Sequence, residues 1–97
     1  MSIDFYIDAI EITNKLKLAE RPPDCEMIIA NKVNKLIQNR KNDKEIIIYL
    51  KSLSKWLQNK IAVERLHGEC INYTHAACFI DSLLKKRYWK RSLGIIK

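Results

Sequence analysis

Apolar residues recur along this chain at spacings of three and four, the period of an α-helix viewed from its buried side. Phe5, Ala9, Ile12, Leu16 and Ala19 make a first stripe, which Ile7, Ile10 and Leu18 widen, and predict a helix from about Ile3 to Ala19. Glu20, Arg21, Pro22 and Pro23 break it, because a residue before proline avoids helical angles and proline donates no backbone hydrogen bond. A second helix is predicted from Pro23 or Asp24 to about Arg40, with Cys25, Ile29, Val33 and Leu36 inward and Ile28 and Ile37 beside them. A third, the longest, starts at a cap on Asn42 or Asp43. It repeats through Ile46, Leu50, Leu53, Leu57 and Ile61, broadened by Ile47, Tyr49 and Trp56, and continues to about Leu66 before Gly68. The run from Ile46 to Leu50 alone would suit a buried strand, but the length of the periodic pattern favours helix. After a connection from Gly68 to Tyr73, a fourth helix capped by Asn72 or Thr74 buries Ala76, Phe79, Ile80, Leu83 and Leu84 and ends at Gly94.

The expected fold class is therefore all-α: a small four-helix, bundle-like domain with three long helices and one shorter. Short loops predict antiparallel neighbours. Two Gly and two Pro are too few for the tight turns of a strand-rich fold. A length of 97 residues suits one domain spanning residues 1–97, and that size needs neither disulfide nor metal to support a core. No run of apolar residues is long enough for a membrane span. Asp4 stands where a secretory signal would be basic, so a cytoplasmic location is expected. Three cysteines, an odd count, are expected to be unbridged there.

Charge is uneven. The formal net charge is +7, distributed as −3 over residues 1–30, +6 over 31–60 and +4 over 61–97. The densest stretch, Lys85-Lys86-Arg87-Tyr88-Trp89-Lys90-Arg91, sets five bases around two aromatic rings. Lys85, Lys86, Arg87, Lys90 and Arg91 can meet phosphates, and Trp89 or Tyr88 can stack on an exposed base. A bland account also exists: bases are favoured at a helix C-terminus by the dipole, and Trp89 can cover the edge of the core. Lys32, Lys35, Lys51, Lys55 and Lys60, taken singly, look like solubilising charges.

Both histidines and two of the three cysteines fall within His67 to Cys78. His67 with Cys70, and His75 with Cys78, are pairs three residues apart, and His and Cys are the commonest zinc ligands. Such pairs could close a tetrahedral site stapling the third helix to the fourth. The mixed pairs and glycine-free intervening loop depart from ordinary zinc modules. The expectation is thus no cofactor, with one structural zinc on His67, Cys70, His75 and Cys78 as the alternative. In the competing account both cysteines are small core residues.

No phosphate-cradling glycine loop, nucleophile elbow or pair of carboxylates near a histidine is present, so no enzyme activity is expected. The connection around Gly68 is too long for a helix-turn-helix. The small size, the richness in Ile, Lys and Asn and the lack of catalytic motifs resemble small accessory proteins of phages and other mobile elements. The leading expectation is a non-enzymatic regulator that binds nucleic acid through Lys85, Lys86, Arg87, Trp89, Lys90 and Arg91. The alternative is a modulator of a host nucleic-acid-processing protein, docking through Ile3, Tyr6, Ile7 and Ile10 or through Ile48, Tyr49 and Trp56. No membrane partner is expected, and a homodimer built on one helix face is compatible with either function.

Overall fold

Prolines and amide side chains set the helix boundaries. The computed structural model describes residues 3–39, 41–64 and 71–86. These form α1 (Ile3–Leu18), α2 (Pro22–Gln38), α3 (Asp43–Glu64) and α4 (Ile71–Lys86), with no strand among the described residues. The all-α, four-helix expectation is met. Arg21 is extended (φ −137°, ψ 151°) because it precedes proline, and Pro22 opens α2 one residue before the predicted start. At the other end Asn39 caps α2, its N–H donating to the Lys35 carbonyl at 2.9 Å. For α3, Asn42 is the cap rather than Asp43: its Oδ1 accepts the Glu45 N–H at 2.8 Å.

The start of α4 corrects the sequence reading. The helix begins at Ile71, so neither Asn72 nor Thr74 is its cap and Tyr73 belongs to its first turn, not to a connection. Asn72 has a different task. Its Nδ2 donates to the carbonyls of Leu16 at 2.7 Å and Ala19 at 3.0 Å. The end of a helix leaves such carbonyls without intrahelical partners, so Asn72 ties the start of α4 to the end of α1. The predicted continuations of α3 to Leu66 and of α4 to Gly94 lie outside the described residues.

The helices form two antiparallel hairpins. In the first, Lys32 of α2 pairs with Asp8 of α1 at 2.7 Å. In the second, the Ser54 hydroxyl of α3 donates to Asp81 Oδ1 of α4 at 3.1 Å. In each hairpin both partners lie ten residues from the helix end that meets the connection, which fixes the antiparallel register. The hairpins pack together mainly through α4, which contacts α1, α2 and α3. Its buried face is Tyr73, Ala76, Ala77, Ile80 and Leu83. Phe5, Ala9, Ile12 and Leu16 of α1, Cys25, Ile29 and Val33 of α2, and Ile46, Leu50, Leu53 and Leu57 of α3 complete one core.

One polar contact joins α1 to α3 beside that core, and a second, within α1, completes it. Trp56 Nε1 donates to Thr13 Oγ1 at 2.9 Å, and Thr13 Oγ1 donates to the Ala9 carbonyl at 2.6 Å, so these partly buried groups are satisfied. Tyr49 lies near the Asp8–Lys32 pair, with the Lys32 ammonium 5.6 Å from its ring centre. Burial, and then the Asp8 carboxylate, push the Tyr49 phenol well above its ordinary value of 10.0. In contrast to the predicted stripe, Ile7, Ile10 and Leu18 are exposed. The core takes only one side of α1, and these residues lie beyond it.

Replacing Asn72 by Ala removes two hydrogen bonds at the junction of the hairpins and is expected to lower unfolding stability by about 1 to 2 kcal/mol in urea titration. Tyr49 predicts a pH effect. Its raised folded value means that the unfolded chain loses the phenolic proton first, so this contribution to stability is intact below pH 10 and falls as pH rises above it. Tyr49→Phe is expected to lose less stability than the parent between pH 9 and 11 in the same measurement.

Candidate nucleic-acid interface

Charge divides the chain at the boundary between the hairpins. Residues 1–42 hold six acids and seven bases, whereas residues 43–97, from the start of α3, hold eleven bases and five acids, so +6 of the net charge of +7 belongs to the second part. The ion pairs among the described residues follow the same division. Lys15 with Glu11 (3.2 Å), Arg21 with Asp24 (3.6 Å) and Lys32 with Asp8 (2.7 Å) all lie in the first part, and Lys41 with Glu45 (3.6 Å) joins the connection to the first turn of α3. Asp8 and Glu11 of α1 thus already hold lysines of α2 and α1.

The solvent face of α3 differs. No acidic residue occurs between Ile46 and Val63. Lys44, Ile48, Lys51, Lys55, Gln58 and Ala62 recur at helical spacing opposite the buried Ile46, Leu50, Leu53 and Leu57, and all six are exposed. Lys44, Lys51 and Lys55 form no ion pair among the described residues, while Lys60 turns aside, its ammonium 5.2 Å from the Trp56 ring centre. The Ser54–Asp81 bond then relates α3 to α4. One turn back from Ser54 is Lys51 and one turn on from Asp81 is Lys85, so in an antiparallel pair both lysines lie beyond the same end of that bond. Asp81 is the sole acid of α4, and it accepts the Ser54 hydroxyl.

Of the residues singled out for nucleic acid, Lys85 is exposed on the last described turn and Lys86 is the final residue of α4. Arg87, Trp89, Lys90 and Arg91 lie outside the described residues. Taken one at a time in the sequence, Lys51 and Lys55 look like ordinary solubilising charges. The signal that groups them is the acid-free run of α3 together with the 3.6-residue period, which places them on one line.

The His/Cys window is divided. His67 and Cys70 lie outside the described residues. His75 is half-buried and Cys78 exposed in the second turn of α4, rather than the first turn predicted. They are neighbours on one helix face, and among the described residues no three His, Cys, Asp or Glu side chains converge as a metal site. Exposure of Cys78 also corrects its assignment as a core residue. Cys25 is the buried thiol. Its Sγ donates to the Arg21 carbonyl at 3.8 Å, and burial followed by the Asp24 carboxylate pushes its pKa up.

These environments predict different reactivity. Iodoacetamide at neutral pH is expected to label Cys78 in the folded protein and spare Cys25 until denaturant is added, as read by peptide mass spectrometry. Comparison of the chain with protein-family models, with curated proteins and with solved structures finds no match in any of the three.

Proposed function

We propose that this is a small, basic, non-enzymatic accessory protein of the kind found in phages and mobile elements. It binds nucleic acid through Lys85, Lys86, Arg87, Trp89, Lys90 and Arg91. The observation that carries this reading is the separation of charge between the hairpins. Asp8 and Glu11 of α1 and Asp24 of α2 are paired with nearby bases, while the sequence after α4 is basic and α4 itself has one acid, hydrogen-bonded to Ser54. Lysine and arginine supply affinity that does not depend on sequence, and Trp89 modulates it. The reading needs no cofactor, and no helix among the described residues is long and apolar enough to cross a membrane.

A second reading has its own support. Tyr6, Ile7 and Ile10 of α1 are 44%, 58% and 51% exposed and adjacent at helical spacing. Tyr6 meets the Trp56 ring edge-on, 6.0 Å between centres, which extends the apolar strip towards α3. Such a strip suits docking on a protein, including a host nucleic-acid-processing enzyme.

Fluorescence-anisotropy titrations with random DNA and RNA at several salt concentrations separate the two. Nucleic-acid binding predicts that log affinity falls linearly with log salt, by about 0.9 for each phosphate neutralised on a duplex. The triple change K85A/K86A/R87A is expected to weaken binding and reduce that slope by about 2 to 3. Absence of binding to either nucleic acid at low salt would overturn the reading in favour of a protein partner.

A further inference from the structure

We infer that the nucleic-acid surface extends onto α3, where Lys44, Lys51 and Lys55 form a rail for the phosphate backbone of a double-stranded ligand. This rests on the nucleic-acid reading above and names the part of the molecule, and the form of the ligand, that sequence left open. Three observations combine. The three lysines lie along one line of α3, and Lys51 and Lys55 sit within an 18-residue stretch, Ile46 to Val63, that holds no acid. None of the three is engaged by a carboxylate among the described residues, whereas four bases of the first 45 residues are. The antiparallel register fixed by Ser54 and Asp81 sets Lys51 and Lys85 at the same end, so the rail runs towards the C-terminal end of α4.

Duplex is favoured over single strand by what the rail lacks. A single strand is held by bases stacked on exposed rings. The outer line of α3 offers lysines, Ile48, Gln58 and Ala62, while its two rings, Tyr49 and Trp56, turn towards α1 and are half-buried. Ammonium groups are compact charges on flexible stems, suited to phosphate contact without base readout. A helix rises about 1.5 Å per residue, so Lys44 to Lys55 covers about 16 Å. A duplex presents about one charge per 1.7 Å of axis, so each lysine along the rail finds a phosphate within reach of its stem. Binding by this face is therefore independent of sequence and dependent on salt.

The test uses the full chain, a random-sequence DNA duplex and one of its strands alone. Lys51→Glu with Lys55→Glu is compared with Lys17→Glu with Lys35→Glu, which changes net charge equally on exposed positions of α1 and α2. All four side chains are exposed, and circular dichroism with urea titration verifies that each variant folds. The rail predicts that the α3 pair weakens duplex binding by about tenfold or more. The corresponding double alanine variant should lower the salt slope by about 2. The α1/α2 pair should change duplex affinity less than about threefold, as expected for distant screened charges. Equal losses in the two variants would mean that net charge alone acts, and would overturn the rail. Undiminished duplex binding by the α3 variant would overturn it while leaving the basic-segment reading intact. Tighter binding of the single strand, with the loss confined to it, would overturn the duplex assignment. Failure of the parent protein to bind either form would remove both readings together.

Discussion

Ala76 and Ala77, buried in the middle of α4, let that helix approach its neighbours closely, and the arrangement of the two hairpins depends on this contact. Larger residues follow at either end: Tyr73 near the start, Ile80 and Leu83 towards the finish, all fully buried. Each aliphatic or aromatic side chain removed from water there contributes about 1.5 to 3 kcal/mol, before the conformational entropy of ordering it. Added volume at Ala76 or Ala77 would force neighbouring side chains out of their preferred rotamers, a cost of about 1 to 3 kcal/mol. The contact spans the hairpins, so α1 and α2 are held against α3 largely by what they share with α4. Asn72, donating to the end of α1, and Trp56, donating to Thr13, add direction to a packing force that has none of its own.

That architecture also arranges the charge. The first hairpin satisfies most of its ionic needs internally, and Lys32 with Asp8 is the pair that crosses between its helices. Surface pairs of this kind add little stability. Their consequence here is electrostatic: Asp8, Glu11 and Asp24 already have partners within the first hairpin. What remains is a lysine line on α3, with Lys51 and Lys85 beyond the same end of the Ser54–Asp81 bond. A field of one sign over such an area attracts polyanions and speeds their encounter. The exposed Tyr6, Ile7 and Ile10 strip lies on a different helix, so nucleic-acid and protein contacts need not compete for one surface.

Much of the fold was legible in the spacing of apolar residues. The stripes of α2 and α3 were read almost residue for residue, because a 3.6-residue period against a strongly polar opposite face leaves little choice. Errors came where a local rule had a tertiary competitor. Asn72 resembles a helix cap by residue type, but two carbonyls from a segment over fifty residues away claim its amide, and Tyr73 is buried as a result. Ile7, Ile10 and Leu18 satisfy the periodicity of α1, yet a helix packed on one side cannot bury so wide an arc. The lysine rail was illegible one residue at a time. It emerges from an absence, the acid-free run from Ile46 to Val63, and from a register set by one long-range hydrogen bond. The proposed zinc ligands were legible only as a cluster, since spacing along a chain does not fix where a loop carries its two ends.

The central claim is that the face formed by the outer side of α3 and the C-terminal end of α4 is where this protein meets its ligand. Amide chemical-shift mapping by NMR, with a DNA duplex titrated at low salt, tests it most directly. The account predicts progressive, salt-reversible shifts at Lys44, Lys51, Lys55, Lys85 and the basic residues that follow, with Tyr6, Ile7 and Ile10 unmoved. Shifts confined to α1, or none at all under those conditions, would contradict it.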